Sequence, residues 1–275
     1  MKAFEHLSTP GDILYDCSTD ETTVRQGLIA AAAAAQQPAG PPPTPQVIAQ
    51  TVARFVAMPT ILTSPAVAVM IQRAVDTYSQ DRCHTFAKLL AKNGTWQPLT
   101  LIRLKTMDMP DAYQNDPNVK YMPPPLRTLW RDVLGDFNHL PAATRATLRQ
   151  LYEYDLKMVK VFKEEGVKIV AGDDLGGGWI ITGFGLHQEF KEMAAAGLTP
   201  LEILQTTTIN AAEFLRRTDM GTVESGKNAD LVLLDANPVV SVDNLDKVSA
   251  VVLKGRYFDR TALDKMMADV ETAYR

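Results

Sequence analysis

Residues 167–189 read VKIVAGDDLGGGWIITGFGLHQE, and the fold turns on how this stretch is taken. Its apolar opening lies between Gly166 and Gly172 and is too short for three helical turns, so 167–173 reads as a parallel-type strand buried on both faces. Asp173 and Asp174 then stand at the strand's C-terminal end. In parallel α/β architectures that end is where ligands and catalytic groups collect, because the loops leaving the strands form the rim of the site. Gly176, Gly177 and Gly178 follow, giving the backbone freedom to pass close to a bound group.

Upstream, Leu148, Leu151, Tyr152, Val159 and Phe162 make one apolar face of a helix over 142–165 that Gly166 closes. Downstream, Thr199 stands at an N-cap with Pro200 at the first helical position and Glu202 three residues on, a capping box. Turn glycines at Gly221 and Gly226 precede a strand ending at Asp235, and two more strands pair around Lys254 and Gly255.

The first residues give a short strand ending at Glu5 and His6 and breaking at Pro10 and Gly11. An alanine-rich helix leads to a stiff proline connector over 36–45. Val47, Ile48, Val52, Phe55 and Val56 fall at helical spacing, so 46–80 reads as a helical hairpin broken at Pro59 and Pro65, its apolar stripe turned to packing. A further helix from about Asp81 carries His84 on its surface and stops at Asn93 and Gly94. TWQPLTLIRLK over 95–105 reads as an apolar strand with Arg103 and Lys105 at its rim. The loop 106–125, which holds Tyr113 and Tyr121, suits an active-site cover and a long surface loop equally. A helix centred on Trp130 follows.

The chain has 275 residues, 46% of them hydrophobic, ample for a packed core. With 28 basic against 32 acidic residues there is no basic stripe to neutralise phosphates, which argues against nucleic acid as a partner. The run 28–35 is too short to span a bilayer and has the wrong flank for a signal peptide, so neither a membrane nor secretion is expected. Cys17 and Cys83 allow at most one disulfide and match no metal-knuckle spacing, and thiols of a reduced, cytoplasmic compartment are the better reading.

Four blocks in order, GVKIVAGDD, GLHQEF, AAGLTPLEILQTTTINAAEFL and MGTVESGKNADLVLLDANPV, resemble the closing third of the amidohydrolase superfamily in its imidazolonepropionase-like and prolidase-like branch. The family pattern Gly-Thr-Asp reads Gly172-Asp173-Asp174 here, with Asp173 in place of the threonine. The resemblance implies an α/β fold: strands 6 to 8 of a (β/α)8 TIM-type barrel over 1–220, with a helical insertion at about 18–92, and a partial small β-sandwich over 221–275. It implies a metal-dependent hydrolase in which Asp174 binds metal and accepts a proton and His6 is a second ligand. Arg103, Tyr121 and His187 are then expected at the substrate, although His187 serves equally as a cap of the next helix, and a surface histidine is the lesser alternative for His6.

A hydrolytic metal site needs three or more protein ligands, most simply around zinc, with an open position for water. No His-x-His occurs in this sequence and there are four histidines in all, so a divalent metal, zinc by expectation, would be sub-stoichiometric or shared between chains. Two functions therefore stand side by side. One is a hydrolase opening amide, lactam, lactone or ester bonds of a small substrate. The other is a truncated, metal-free remnant or self-associating fragment without amidohydrolase activity. A serine hydrolase fits less well, since no G-x-S-x-G elbow is present. Three strands of an unclosed barrel leave at least two sheet edges open, which predicts a homo-oligomer.

Overall fold

The computed structural model describes residues 2–7, 12–35 and 43–275. Five helices come first: α1 (Asp12–Asp16), α2 (Glu21–Ala35), α3 (Pro45–Ala57), α4 (Pro65–Asp76) and α5 (Gln80–Lys92). Then come β1 (Trp96–Pro98), α6 (Leu101–Asp108), α7 (Pro124–His139), α8 (Ala142–Glu164) and β2 (Lys168–Val170). The chain continues through α9 (Gly185–Ala195), α10 (Pro200–Thr207), α11 (Ile209–Phe214), β3 (Leu231–Leu234), β4 (Val248–Leu253), β5 (Arg256–Asp259) and α12 (Arg260–Ala273). It is an α/β fold, mostly helical with few strands. The expected connector over 36–45 and the break at Pro10 and Gly11 fall largely outside the described residues.

The helical hairpin over 46–80 forms as its prolines dictate. Thr44 and Ser64 accept hydrogen bonds from Val47 N and Val67 N, and a proline follows each at the first helical position, where its missing N–H costs nothing. Ser79 caps α5 in the same way. The two long arms differ in what they cover. α4 buries Ala68, Ile71, Ala74 and Val75 against α2 and α8, whereas the stripe of α3 is not packed as expected: Val47, Ile48, Val52, Phe55 and Val56 are all exposed.

α8 is the hub of the core. Its five apolar positions, Leu148, Leu151, Tyr152, Val159 and Phe162, are all buried, and α4, α5 and α6 pack around it. Each such side chain contributes roughly 1.5–3 kcal/mol by leaving water. Cys17 and Cys83, both fully buried, form a disulfide across 66 residues. This corrects the expectation of free thiols, and a covalent loop of that size stabilises the fold by about 4 kcal/mol.

β1 and β2 pair in parallel, Trp96 with Lys168 and Pro98 with Val170. The N-terminal segment lies along the other side of β1: Phe4 N donates to Trp96 O at 3.0 Å and Trp96 N to Lys2 O at 2.8 Å. Three parallel segments thus lie side by side. The outer edge of β2, expected to be open, is covered instead. Ala171 N donates to Thr206 O of α10, and the Asn210 amide of α11 donates to Ile169 O. The strand expected over 167–173 is shorter than its apolar run because the chain leaves the ladder to meet these helices.

The reading of 95–105 as one strand is also corrected. Thr100 adopts a left-handed conformation and α6 begins at once, so Arg103 and Lys105 lie on a helix. The cause is remote in sequence. Glu189 of α9 is fully buried and its Oε2 accepts from Ile102 N at 2.7 Å, capping α6 from 87 residues away.

The remaining strands form a separate antiparallel sheet in the order β3-β4-β5, with α12 packed against β4 and β5.

Candidate functional site

The three parallel segments all release the chain in the same way. His6 follows the first, Thr100 follows β1 and Asp174 follows β2, with φ of 61°, 52° and 52°. Trp179, five residues on, has φ 59°. Six described non-glycine residues have positive φ, and these four lie at the strand exits or in the loop leaving β2. For threonine and tryptophan in particular this backbone is strained, at about 1–3 kcal/mol each, and it persists only where surrounding contacts impose it.

Those contacts are visible. Gln97, fully buried in β1, donates from its side-chain amide to the carbonyls of Phe4 and His6, both at 2.9 Å, and so fastens the His6 segment to the strand. His6 Nδ1 lies 2.8 Å from Thr100 Oγ1, which itself donates to Leu99 O at 2.7 Å. A hydroxyl has one hydrogen to give. With that hydrogen on Leu99, Nδ1 carries the imidazole proton and Nε2 keeps its lone pair, a tautomer assigned from the bond network.

Asp174 meets Arg103, whose Nε is 3.3 Å from its Oδ2. The guanidinium is itself buried and gives its other hydrogens to the last carbonyls of α3, Ala57 O at 2.9 Å and Val56 O at 2.6 Å. Burial lowers the Arg103 pKa, and Asp174 pulls in the opposite direction. Gly177 is required here, since a Cβ would fall 2.3 Å from Arg103 Nη1. Gly178 N donates to Ala57 O at 2.8 Å. The close approach expected of the glycine cluster is therefore to Arg103 and the end of α3. Burial also raises the pKa of Asp173.

His6 and Asp174 line two cavities in common. One, of about 270 Å³, has Arg103 and an apolar wall of Phe55, Pro59 and Met107. The other, of about 400 Å³, adds Glu5, Thr100 and Phe214. Of the residues expected to act together, His6, Asp174 and Arg103 are assembled. Tyr121 is placed elsewhere, stacked on Phe184 at 5.6 Å, and His187 bonds through Nδ1 to Asp246 at 2.8 Å, away from both cavities.

Thr100, Gln97 and Glu189 were not legible as site residues. Glu189 lies behind the site with its pKa raised to about 8, chiefly by burial. Beside it Glu192 accepts from Tyr152 Oη at 2.6 Å and Lys105 Nζ at 2.7 Å, a buried network that pushes the Tyr152 pKa upward.

A divalent metal, which the family typically uses, needs more donors than are gathered here. Among the described residues no three histidine, cysteine or carboxylate side chains converge, and one oxygen of Asp174 already faces a guanidinium. The donor set does not fit a metal centre.

Comparison with known proteins follows the same lines. Residues 148–257 match the amidohydrolase family. Imidazolonepropionase of Shouchella clausii (strain KSM-K16) is 44% identical over 68 residues, which covers 21% of this chain and 15% of that protein. Bottromycin amidohydrolase superposes with a TM-score of 0.61 at 21% identity, over 79% of this chain and 47% of its own, a likeness of fold. A Xaa-Pro dipeptidase with bound methionine in the active site gives a TM-score of 0.47 at 22% identity, over 70% and 43% of the two chains. The chain thus spans less than half the length of each of these three proteins.

Proposed function

We propose that this chain, an amidohydrolase-superfamily chain whose match to the family covers residues 148–257, is a hydrolase that opens an amide, lactam, lactone or ester bond of a small substrate at the rim shared by His6 and Asp174. The observation that carries this reading is the convergence of three left-handed residues, His6, Thr100 and Asp174, at the ends of three parallel segments. Strain gathered where parallel strands end is the pattern of a site held in a fixed geometry.

In this reading Asp174 takes the proton of the attacking water, and His6, with Nε2 as its open acceptor, relays a proton to the departing nitrogen or oxygen. Arg103 is a positioning residue that ties Asp174 to the end of α3. The apolar wall of the smaller cavity suits an aliphatic or aromatic substituent on the substrate. No step here runs through a metal, because the donors described do not complete a site.

The Arg103–Asp174 pair favours a second reading, a chain that keeps the family's architecture without its turnover. Assay of the folded chain on a panel of N-acyl amino acids, lactams, lactones and aryl esters separates the two. The hydrolase reading expects turnover that falls by about a hundredfold or more in Asp174→Asn, the scale of a lost general base. Turnover unchanged in that variant removes Asp174 as the base, and absence of turnover on the whole panel selects the second reading. Elemental analysis of the same samples, with His6→Ala as control, reports whether donors beyond those described complete a centre.

A further inference from the structure

A third cavity, larger than the two that His6 and Asp174 line, is lined by neither residue. Its volume is about 490 Å³, within the range of roughly 300–1,000 Å³ that small-molecule sites occupy. One wall is a single face of α7: Arg127, Trp130, Arg131 and Leu134 stand at i, i+3, i+4 and i+7. The opposite wall is Trp179, from the loop that follows β2.

Two features of this cavity are unexplained by the fold alone. The first is charge. Its lining holds two guanidiniums and no carboxylate. Arg127 donates to the backbone carbonyl of Tyr274, and Arg131 reaches the Thr128 hydroxyl at 3.3 Å, so neither forms an ion pair among the described residues. Like charges four residues apart on a helix repel one another, and an anion between them removes that cost. The second feature is aromatic. Trp130 and Trp179 are each 3% exposed, with ring centroids 5.8 Å apart and planes tilted by 34°. Trp179 reaches this position only through its left-handed backbone, held in place by the bond from Gly178 N to Ala57 O. Two largely buried indoles line the cavity beside two guanidiniums that have no ion pair among the described residues, an apolar edge next to planar forks of donors, which carboxylates and phosphates bind in bidentate fashion.

We propose that the cavity between Arg127, Arg131, Trp130 and Trp179 binds a small aromatic anion, with its carboxylate or phosphate on the two guanidiniums and its ring against the indole pair. The inference is independent of the hydrolase reading, because none of the four residues lines the His6 and Asp174 cavities.

The test titrates the whole chain with benzoate, phenyl phosphate and neutral benzamide, following tryptophan fluorescence and heat of binding. Two of the three tryptophans line this cavity, so occupancy changes the emission. Saturable binding of at least one anion is expected, with benzamide weaker by about tenfold or more, the worth of one charge-assisted hydrogen bond. Arg131→Gln and Arg127→Gln should each weaken the anion by a similar factor and flatten its dependence on salt. Asp174→Asn should leave binding unchanged. Whichever anion binds more tightly identifies the headgroup. Equal binding of benzamide, no effect of either arginine variant, or no binding by a chain shown to be folded would overturn the proposal.

Discussion

β1 and β3 invert what their sequences advertise. β1 is WQP, with a polar amide at its centre and a proline that lacks a donor, yet all three residues are buried. β3 is LVLL, apolar throughout, yet Val232 and Leu233 are 60% and 59% exposed. Successive side chains on a strand point to opposite faces, so consecutive exposed residues mean that neither face of β3 is covered. β1 has the N-terminal segment on one side and β2 on the other, and the Phe214 ring of α11 meets Trp96 at 5.7 Å. Apolar content therefore records what a strand could bury, while the neighbours present decide what it does bury.

The contrast is sharpest if the two sheets answer differently to truncation. Ile169→Ala in β2, where the side chain is 6% exposed, should cost about 3 kcal/mol in denaturant unfolding. A loss below 1 kcal/mol would show that β2 does not hold its side chains in a packed interior.

A second test uses the link between the parallel segments and α9. Burial raises the Glu189 pKa from 4.5 to about 8, so the folded chain holds a proton that the unfolded chain releases across this range. The sign follows from linkage: the contribution of Glu189 to stability is fully present below about pH 4.5 and is lost as pH rises towards 8, by at most about 1.4 kcal/mol per pH unit. Glu189→Gln keeps an acceptor for Ile102 N and should flatten that slope. The facing groups, Glu192, Asp173 and Lys105 with Tyr152, remain in the variant, so any slope that survives belongs to them. An unchanged slope would remove Glu189 as its source.

The smallest effect is expected in the other sheet. Val232→Thr and Leu233→Thr should each change stability by less than about 0.5 kcal/mol, as exposed positions do. A large loss, or a change in sedimentation, would mean that a second copy or another partner covers β3 in solution and would break the comparison.

Much of the chain followed local rules. The caps at Thr44, Ser64 and Thr199, the breaks at Pro59 and Pro65, the buried face of α8 and the parallel placement of Lys168–Val170 all rest on residues within a few positions of one another. His6 and Asp174 could be named because motif order survives in sequence, and the structure places both on the same cavities.

What the sequence by itself determined was the type of most elements and the likeness of residues 148–257 to the amidohydrolase family, because period, capping and motif spacing are properties of neighbours along the chain. Tertiary structure alone decided that α6 is a helix, since its cap is Glu189 across 87 residues. It alone paired Arg103 with Asp174 and Cys17 with Cys83, exposed the stripe of α3, and set two indoles and two guanidiniums around one cavity. Each of these depends on which distant groups share a low-dielectric space. That is fixed by packing, where a buried donor, charge or thiol must find its partner wherever the chain returns.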